Sequence, residues 1–280
     1  MQRFVLTLRC PDQAGIVLAA AQGIVLVDGN IVESDQFSDP PTGQFCMRIS
    51  FDAPRSLDEV RDVLNTQMER FQPLLGIRLA SERRRALIMV SKLDHCLVDL
   101  LYRWNLGELA IDIPVIISNH PDCAPIAARY GIPFRHVPVT PDTKEQAEAT
   151  LAELVQEHHV DFIVLARYMQ VLSPDFFEAM PGSIINIHHS FLPSFKGSRP
   201  YHQAYERGVK LIGATAHYVT ADLDEGPIIE QSVIRVTHAQ SAEDLVALGR
   251  DIERTVLARA VRLQSEDRVV LTGERTVVFS

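Results

Sequence analysis

Residues 183–197 read SIINIHHSFLPSFKG. The run Ser183 to Ile187 is apolar and β-branched, as a strand covered on both faces requires. Two residues interrupt it. Asn186 and His188 sit at i and i+2, so in an extended chain their side chains leave the same face while Ile187 points into packing on the other. An amide donor and an imidazole therefore converge on one point. Pro193 lacks an N–H and holds Leu192 extended, so the run cannot continue as a central strand. The pair stands at the C-terminal end of a strand, where open α/β sheets collect their ligands.

Downstream, the apolar run Leu211 to Val219 leads into TADLDEGPII, where Asp222, Asp224, Gly226 and Pro227 mark a tight loop before a strand from Ile228 to Ile234. Asp224 hangs from that loop. An Asn donor, a His and a carboxylate around one pocket can polarise a carbonyl, hold the resulting oxyanion and move a proton from an attacking water or amine. No serine or cysteine nucleophile is needed.

Around these two stretches, strands alternate with helices. Strands are expected at Ala86 to Val90, Pro114 to Ser118 and Phe162 to Ala166, and helices at Thr143 to His158, Pro200 to Arg207 and Ser241 to Gln264. A closing β-hairpin turns at Gly273. Such alternation specifies an α/β domain with a Rossmann-like, mostly parallel sheet covered on both faces. Before it, the pattern is βαββαβ, a ferredoxin-like arrangement. A strand at Phe4 to Leu8, an alanine-rich helix from Ile16 to Val27 and a hairpin of Ile31 to Phe37 with Gln44 to Phe51 lead to a helix capped by Ser56 and a last strand at Ile77 to Ala80. The charged linker Ser81 to Arg85 separates the two, giving expected domains at residues 1–82 and 86–280.

The motifs carry a resemblance. NIHHSFLPSFKG followed by GATAHYVTADLDEGPIIEQ is similar to the folate-dependent formyltransferase fold, and together with ARYMQVLSP and the N-terminal domain the chain resembles the formyltetrahydrofolate deformylase family over its whole length. The resemblance implies a catalytic trio of Asn186, His188 and Asp224, the last two 36 positions apart. It implies folate contacts at Met169, Gln170, Leu172, Gly197, Thr215, His217, Thr220 and Leu223. The implied reaction is hydrolysis of 10-formyltetrahydrofolate to formate and tetrahydrofolate, balancing one-carbon pools and feeding formate to purine synthesis. Folate is then substrate, with no cofactor and no metal expected. Asn186 and protonated His188 would hold the formyl oxygen while Asp224 orients water. His189 falls where the related transferases usually carry proline, and strand alternation turns it away from His188 as a loop-packing residue.

The alternative is formyl transfer to an amine. The related glycinamide-ribonucleotide transformylases cradle a phosphate on a glycine-rich loop after the first strand. Here that loop reads SKLDHCL, without glycine, leaving Lys92 as its one phosphate candidate. A metallohydrolase built on His188, His189, His217 and Asp224 is disfavoured, since adjacent histidines diverge on a strand.

PDQAGIVLAAAQGIVLVDGNIVE resembles the opening of an ACT domain. This implies a regulatory module binding an amino acid, with glycine and methionine as candidate effectors, Asp12, Gln13, Gly15 and Asn30 as their contacts, and a homo-oligomer, a tetramer being favoured. On this domain alone, a non-enzymatic amino-acid sensor is the reading from another function class.

The 280 residues are 46% hydrophobic, enough for two proper cores. The net charge of −9 argues against nucleic acid as a partner, which would need clustered Lys and Arg. A folate with its glutamate tail is also anionic, and Lys196, Arg199 and Arg167 are the candidates to offset it. Four scattered cysteines without paired spacing suit free thiols in a reducing cytoplasm. No apolar run reaches the length of a membrane span.

Overall fold

A computed structural model describes residues 1–180, 183–192 and 200–279. Its contacts divide the chain into two units, residues 1–83 with 266–280, and residues 84–265.

The first unit contains β1 (Gln2–Pro11), α1 (Ile16–Leu26), β2 (Asn30–Asp39), β3 (Gln44–Ala53), α2 (Leu57–Met68) and β4 (Leu74–Leu79). This is the expected βαββαβ order, and the antiparallel sheet runs β2-β3-β1-β4. Alternate residues of β1, Phe4, Leu6 and Leu8, meet Ile16, Ala20 and Ile24 of α1 and Val60, Leu64 and Met68 of α2 in one core. Phe4 stacks on Phe51 with ring centroids 5.3 Å apart. Ser56 starts α2 as expected: its hydroxyl accepts from the Glu59 N–H while the Glu59 carboxylate accepts from the Ser56 N–H.

The second unit contains β5 (Arg84–Val90), α3 (His95–Asn105), β6 (Ile111–Asp112), β7 (Ile116–Ser118), α4 (Ala124–Arg129), β8 (Phe134–His136), α5 (Lys144–Glu157), β9 (Phe162–Leu165), α6 (Pro174–Glu178), β10 (Ile184–His188), α7 (Pro200–Glu206), β11 (Leu211–Tyr218), β12 (Ile228–Arg235) and α8 (Ala242–Ser265). Its sheet runs β12-β11-β10-β9-β5-β7-β8, with β6 beside β5. From β10 to β8 every pairing is parallel, and β11 and β12 are antiparallel additions at one edge. Such a sheet is buried on both faces, which explains the continuous apolar runs in β5, β9 and β10. Leu151 and Leu154 of α5 and Phe176 and Phe177 of α6 cover one face. On the other, α8 packs along β10, β11 and β12, with α3 and α7 against it. The helix starts where Ser241 predicts, the Ser241 hydroxyl accepting from the Asp244 N–H at 3.1 Å.

The closing hairpin departs from expectation. β13 (Val269–Thr272) and β14 (Arg275–Val278) turn at Gly273 as predicted, yet they cluster with the first unit, not with the domain at 86–280. The physical reason lies on β3. Met47 and Ile49 point into the core, so Arg48 points to the opposite face, where it is buried. There Arg48 Nη1 reaches Glu33 at 2.7 Å and its Nε donates to the Glu266 carbonyl at 3.1 Å. Arg268 donates to the same Glu33 at 2.9 Å, Arg275 to Asp39 at 2.9 Å, and Arg78 pairs with Asp267. A buried guanidinium with its carboxylate needs a cover, and the tail supplies one.

Candidate active site

Beside the C-terminal end of β9, where Leu165 pairs with Asn186, polar side chains of β10 and of its antiparallel neighbour β11 meet. Asn186 and His217 are register partners across the antiparallel pair β10/β11. On its other side β11 shifts register against β12 between Ala216 and His217, with Ile229 of β12 as the extra residue. His217 Nδ1 lies 2.9 Å from the Tyr218 carbonyl, so that nitrogen carries the proton and Nε2 is left to accept from Asn186 Nδ2, 3.2 Å away. The Asn186 amide is thereby fixed with one N–H still to place.

Asp224 enters from the loop after β11. Its φ of 59° is left-handed, a conformation that aspartate tolerates better than bulkier residues and that turns the carboxylate inward. Gly226 makes the turn possible, since a Cβ there would lie 1.8 Å from the Tyr218 carbonyl oxygen. Asp224 Oδ1 is 3.1 Å from His188 Nδ1 and 3.7 Å from His217 Nε2. Burial alone would raise this carboxyl, but its hydrogen bond to His188 and the charge of that partner outweigh it and hold it well below the usual carboxylate range. The structure thus brings Asn186, His188 and Asp224 together. Among the described residues His188 Nε2, which is buried, has no hydrogen-bond partner, an atom available to a ligand.

These groups line a cavity of about 280 Å³ together with Met169, Gln170, Leu172, Thr220 and Leu223. The Met169 segment is tied to the end of β5: its N–H donates to Ser91 Oγ at 2.9 Å, and Ser91 donates to Asn119 Oδ1 at 2.7 Å. His217, expected at the substrate, lines the cavity too, although its nearest role is to hold Asn186. Gly197 lies outside the described residues, as do Lys196 and Arg199.

Other expectations fail. Thr215 does not line the cavity; its buried hydroxyl donates to the Ser190 carbonyl at 2.9 Å and accepts from Gln231 Nε2 and the Leu192 N–H, so it ties down the segment after His188. His189 does not turn away. β10 ends at His188, strand alternation ends with it, and the His189 ring lies 5.0 Å from that of His188 on the same cavity. Arg167 is no free cation for a glutamate tail. It is largely buried in a left-handed turn at φ 65°, with Nη1 2.7 Å from His189 Nδ1 and Nε 3.5 Å from Glu253.

Glu253 is a functional neighbour that the motif reading missed. It is 1% exposed on α8, with His95 Nε2 at 2.8 Å and the Tyr201 hydroxyl donating at 2.9 Å. Gly249, one turn earlier, leaves room for the Tyr201 ring, whose atoms lie 2.1–2.5 Å from where a Cβ would stand. A signal existed, because Glu253 falls on the buried stripe of Leu245, Gly249, Ile252 and Val256. His95, Cys96 and Glu253 are the one group of three potential metal ligands found among the described residues. Burial and the Glu253 charge push the Cys96 thiol up, which opposes the deprotonation that metal binding requires.

In the first unit the four effector candidates do not converge. Asp12, Gln13 and Gly15 follow the end of β1, whereas Asn30 opens β2 at the level of Arg3, because both pair with Asp52. The strand from the level of Arg3 to Asp12 separates them by roughly 30 Å at 3.3 Å per residue.

Comparison with known proteins identifies relatives of the whole chain. A family model described as formyl transferase matches residues 84–261, nearly the span of the second unit. Over its full length the chain is 48% identical to a formyltetrahydrofolate deformylase of Synechocystis sp., covering all of both chains, and 42% identical to that of Escherichia coli K12, covering 100% of this chain and 99% of the relative. The chain belongs to the formyltetrahydrofolate deformylase family. A crystal structure titled formyltetrahydrofolate deformylase from Burkholderia mallei is 51% identical and superposes with a TM-score of 0.97 over both whole chains. A glycinamide ribonucleotide transformylase from Symbiobacterium toebii is 32% identical, with a TM-score of 0.67 over 73% of this chain and 98% of its own. The deformylase likeness thus includes the first unit and its hairpin, and the transformylase likeness spans a smaller share of the chain.

Proposed function

We propose that Asn186, His188 and Asp224 perform the hydrolysis of 10-formyltetrahydrofolate to formate and tetrahydrofolate, the activity of the family to which the chain belongs. The observation that carries this assignment is the 3.1 Å contact of His188 with Asp224 beside a cavity into which no described group satisfies His188 Nε2. With folate in the cavity, the formyl oxygen takes hydrogen bonds from the free N–H of Asn186 and from His188 Nε2–H. Water attacks the formyl carbon, and one of its protons passes to Asp224. The resting carboxylate is a weak base, but its basicity rises as His188 gives up its own proton. The C–N10 bond breaks, its electron pair stays on N10, and N10 takes the His188 proton. Formic acid ionises, and Asp224 returns its proton to His188. Two donors aimed at the developing oxyanion are together worth several kcal/mol, about 3 kcal/mol for each.

Water as acceptor is supported by the loop after β5. Ser91 is bonded to Asn119 and Met169, and His95 to Glu253, so the place of a phosphate cradle is taken by fixed side chains. The test is formate release from 10-formyltetrahydrofolate without added amine, in the wild type and in Asn186→Ala. Release by the wild type and a loss of about 100-fold or more in the variant are expected. Undiminished release by Asn186→Ala would sink the assignment.

The first unit is read as regulatory, in a cytoplasmic homo-oligomer that supplies formate to purine synthesis. The apolar surface on α1 and β2, with Leu18, Val25, Leu26 and Phe37 exposed, supports assembly through that face. Amino-acid effectors such as glycine or methionine fit this reading only between two copies, because Gly15 and Asn30 lie at opposite ends of one sheet. A glycine or methionine titration followed by formate release and by light scattering tests both points at once.

A further inference from the structure

His189 is the buried side chain on the cavity that the reaction above leaves idle. Its Nδ1 faces Arg167 Nη1 at 2.7 Å. A guanidinium has no acceptor, so Nδ1 accepts and the ring proton of neutral His189 sits on Nε2. That Nε2 is buried and has no hydrogen-bond partner among the described residues. The tautomer is held from behind. Arg167 is fixed by its left-handed turn and by Glu253, whose carboxylate is itself anchored by His95 and Tyr201. Burial, and then the charges of Arg167 and His188, bring the His189 pKa down to about 4, so the ring is neutral in the working range. Thus a chain of four side chains from α8, α3, α7 and the end of β9 maintains one unsatisfied N–H donor beside His188 and Asp224.

An unsatisfied donor discriminates between nucleophiles. Water has two lone pairs; one attacks carbon and the other remains to accept a hydrogen bond. A neutral amine has a single lone pair, which the attack consumes, and an ammonium has none. We propose that His189 selects water as the formyl acceptor, its Nε2–H holding the attacking oxygen through the second lone pair while Asp224 takes a proton from that same oxygen. Atoms balance as in the hydrolysis above: the held oxygen ends in formate, its proton goes to Asp224, and the C–N10 electron pair stays on N10. The inference rests on the assignment of Asp224, Asn186 and His188, and its test separates the two.

The experiment uses the full chain as wild type, His189→Leu, which removes the donor, His189→Gln, which restores one near the position of Nε2, and Asp224→Asn. Formate release is measured alone and with 2,2,2-trifluoroethylamine, a weakly basic amine uncharged at neutral pH, and the formylated amine is quantified. His189→Leu is expected to lose about 100-fold in kcat with KM changed less than about threefold, as for a misplaced reactant. Its ratio of formylated amine to formate is expected to rise roughly tenfold or more, and His189→Gln to recover most of both. Wild-type formate release by His189→Leu, or equal loss of both products with the ratio unmoved, overturns the proposal. Should His189→Leu fail to fold by its melting curve, His189→Phe takes its place. The wild type decides independently, since ready formylation of the amine at its expense of formate also overturns the idea. If instead Asp224→Asn keeps releasing formate, it is the trio that falls.

Discussion

Asp224, half-buried, and Glu253, buried, are both carboxylates that face histidines in the second unit, and they are built for opposite ends. Glu253 is sealed: His95 and Tyr201 bond it, Arg167 balances its charge, and no described part of it lines the cavity. Asp224 stands at the cavity wall, and its partner His188 keeps Nε2 unsatisfied. In both, burial raises the carboxyl and the partners more than offset it, leaving each below its ordinary range. Proton affinity therefore does not separate a reacting carboxylate from a structural one here. What separates them is whether the ion pair ends on satisfied atoms or on an open one. The sharpest way to break this contrast is Asp224→Asn, which keeps the shape and removes the charge and the base. Formate release in a single turnover is expected to fall about 1,000-fold or more, with binding of tetrahydrofolate retained. A variant within tenfold of wild type would end the distinction.

Glu253→Gln asks the reverse question. Removing this charge leaves the largely buried Arg167 without its counterion, a loss of about 3 kcal/mol in unfolding free energy by denaturant titration. Turnover by the folded fraction should fall less than in Asp224→Asn, because Glu253 acts on the reaction only through Arg167 and His189. If Glu253→Gln were as stable as wild type and as inactive as Asp224→Asn, the two carboxylates would share one role.

His189 joins the two centres, and pH separates its contribution from theirs. Its folded pKa is about 4 against an ordinary 6.5, so below 6.5 the unfolded chain binds a proton that the folded chain refuses. Stability falls as pH drops through that interval, and the two depressed carboxylates extend the fall below their ordinary range near 4. Comparing pH 7 with pH 4.5, His189→Gln should lose about 2 kcal/mol less unfolding free energy than wild type. Parallel profiles would show that His189 takes up its proton over the same pH range in the native state as in the unfolded chain.

The same contrast explains what the sequence made legible. Asn186 and His188 could be placed because a period of two fixes the face of a strand residue, and Asp224 because Asp, Gly and Pro mark its loop locally. Glu253 could not be placed from its neighbours: its partner His95 is 158 positions away, and only the packing of α3 against α8 makes them meet. The closing hairpin failed for a related reason. Turn chemistry at Gly273 specifies a hairpin, but the carboxylates that receive it, Glu33 and Asp39, are more than 230 positions upstream. Short elements such as β6, β8, α4 and α6, two to six residues long, fall below any periodicity. His189 and Arg167 were misread because each lies just beyond a strand end, where alternation no longer assigns a face.

The smallest perturbation tests the sealed centre most finely. Tyr201→Phe keeps the ring beside Gly249 and deletes one hydroxyl, the donor to Glu253 Oε1. A buried hydrogen bond to a charged group is worth about 2 kcal/mol, so a loss of that size in unfolding free energy is expected. Arg167 and His95 still hold the other oxygen, so His189 should keep its tautomer and formate release should stay within about threefold of wild type. A loss of turnover much larger than the loss of stability would mean that α7 positions the reacting groups directly, and Glu253 would then belong with Asp224 instead of standing apart from it.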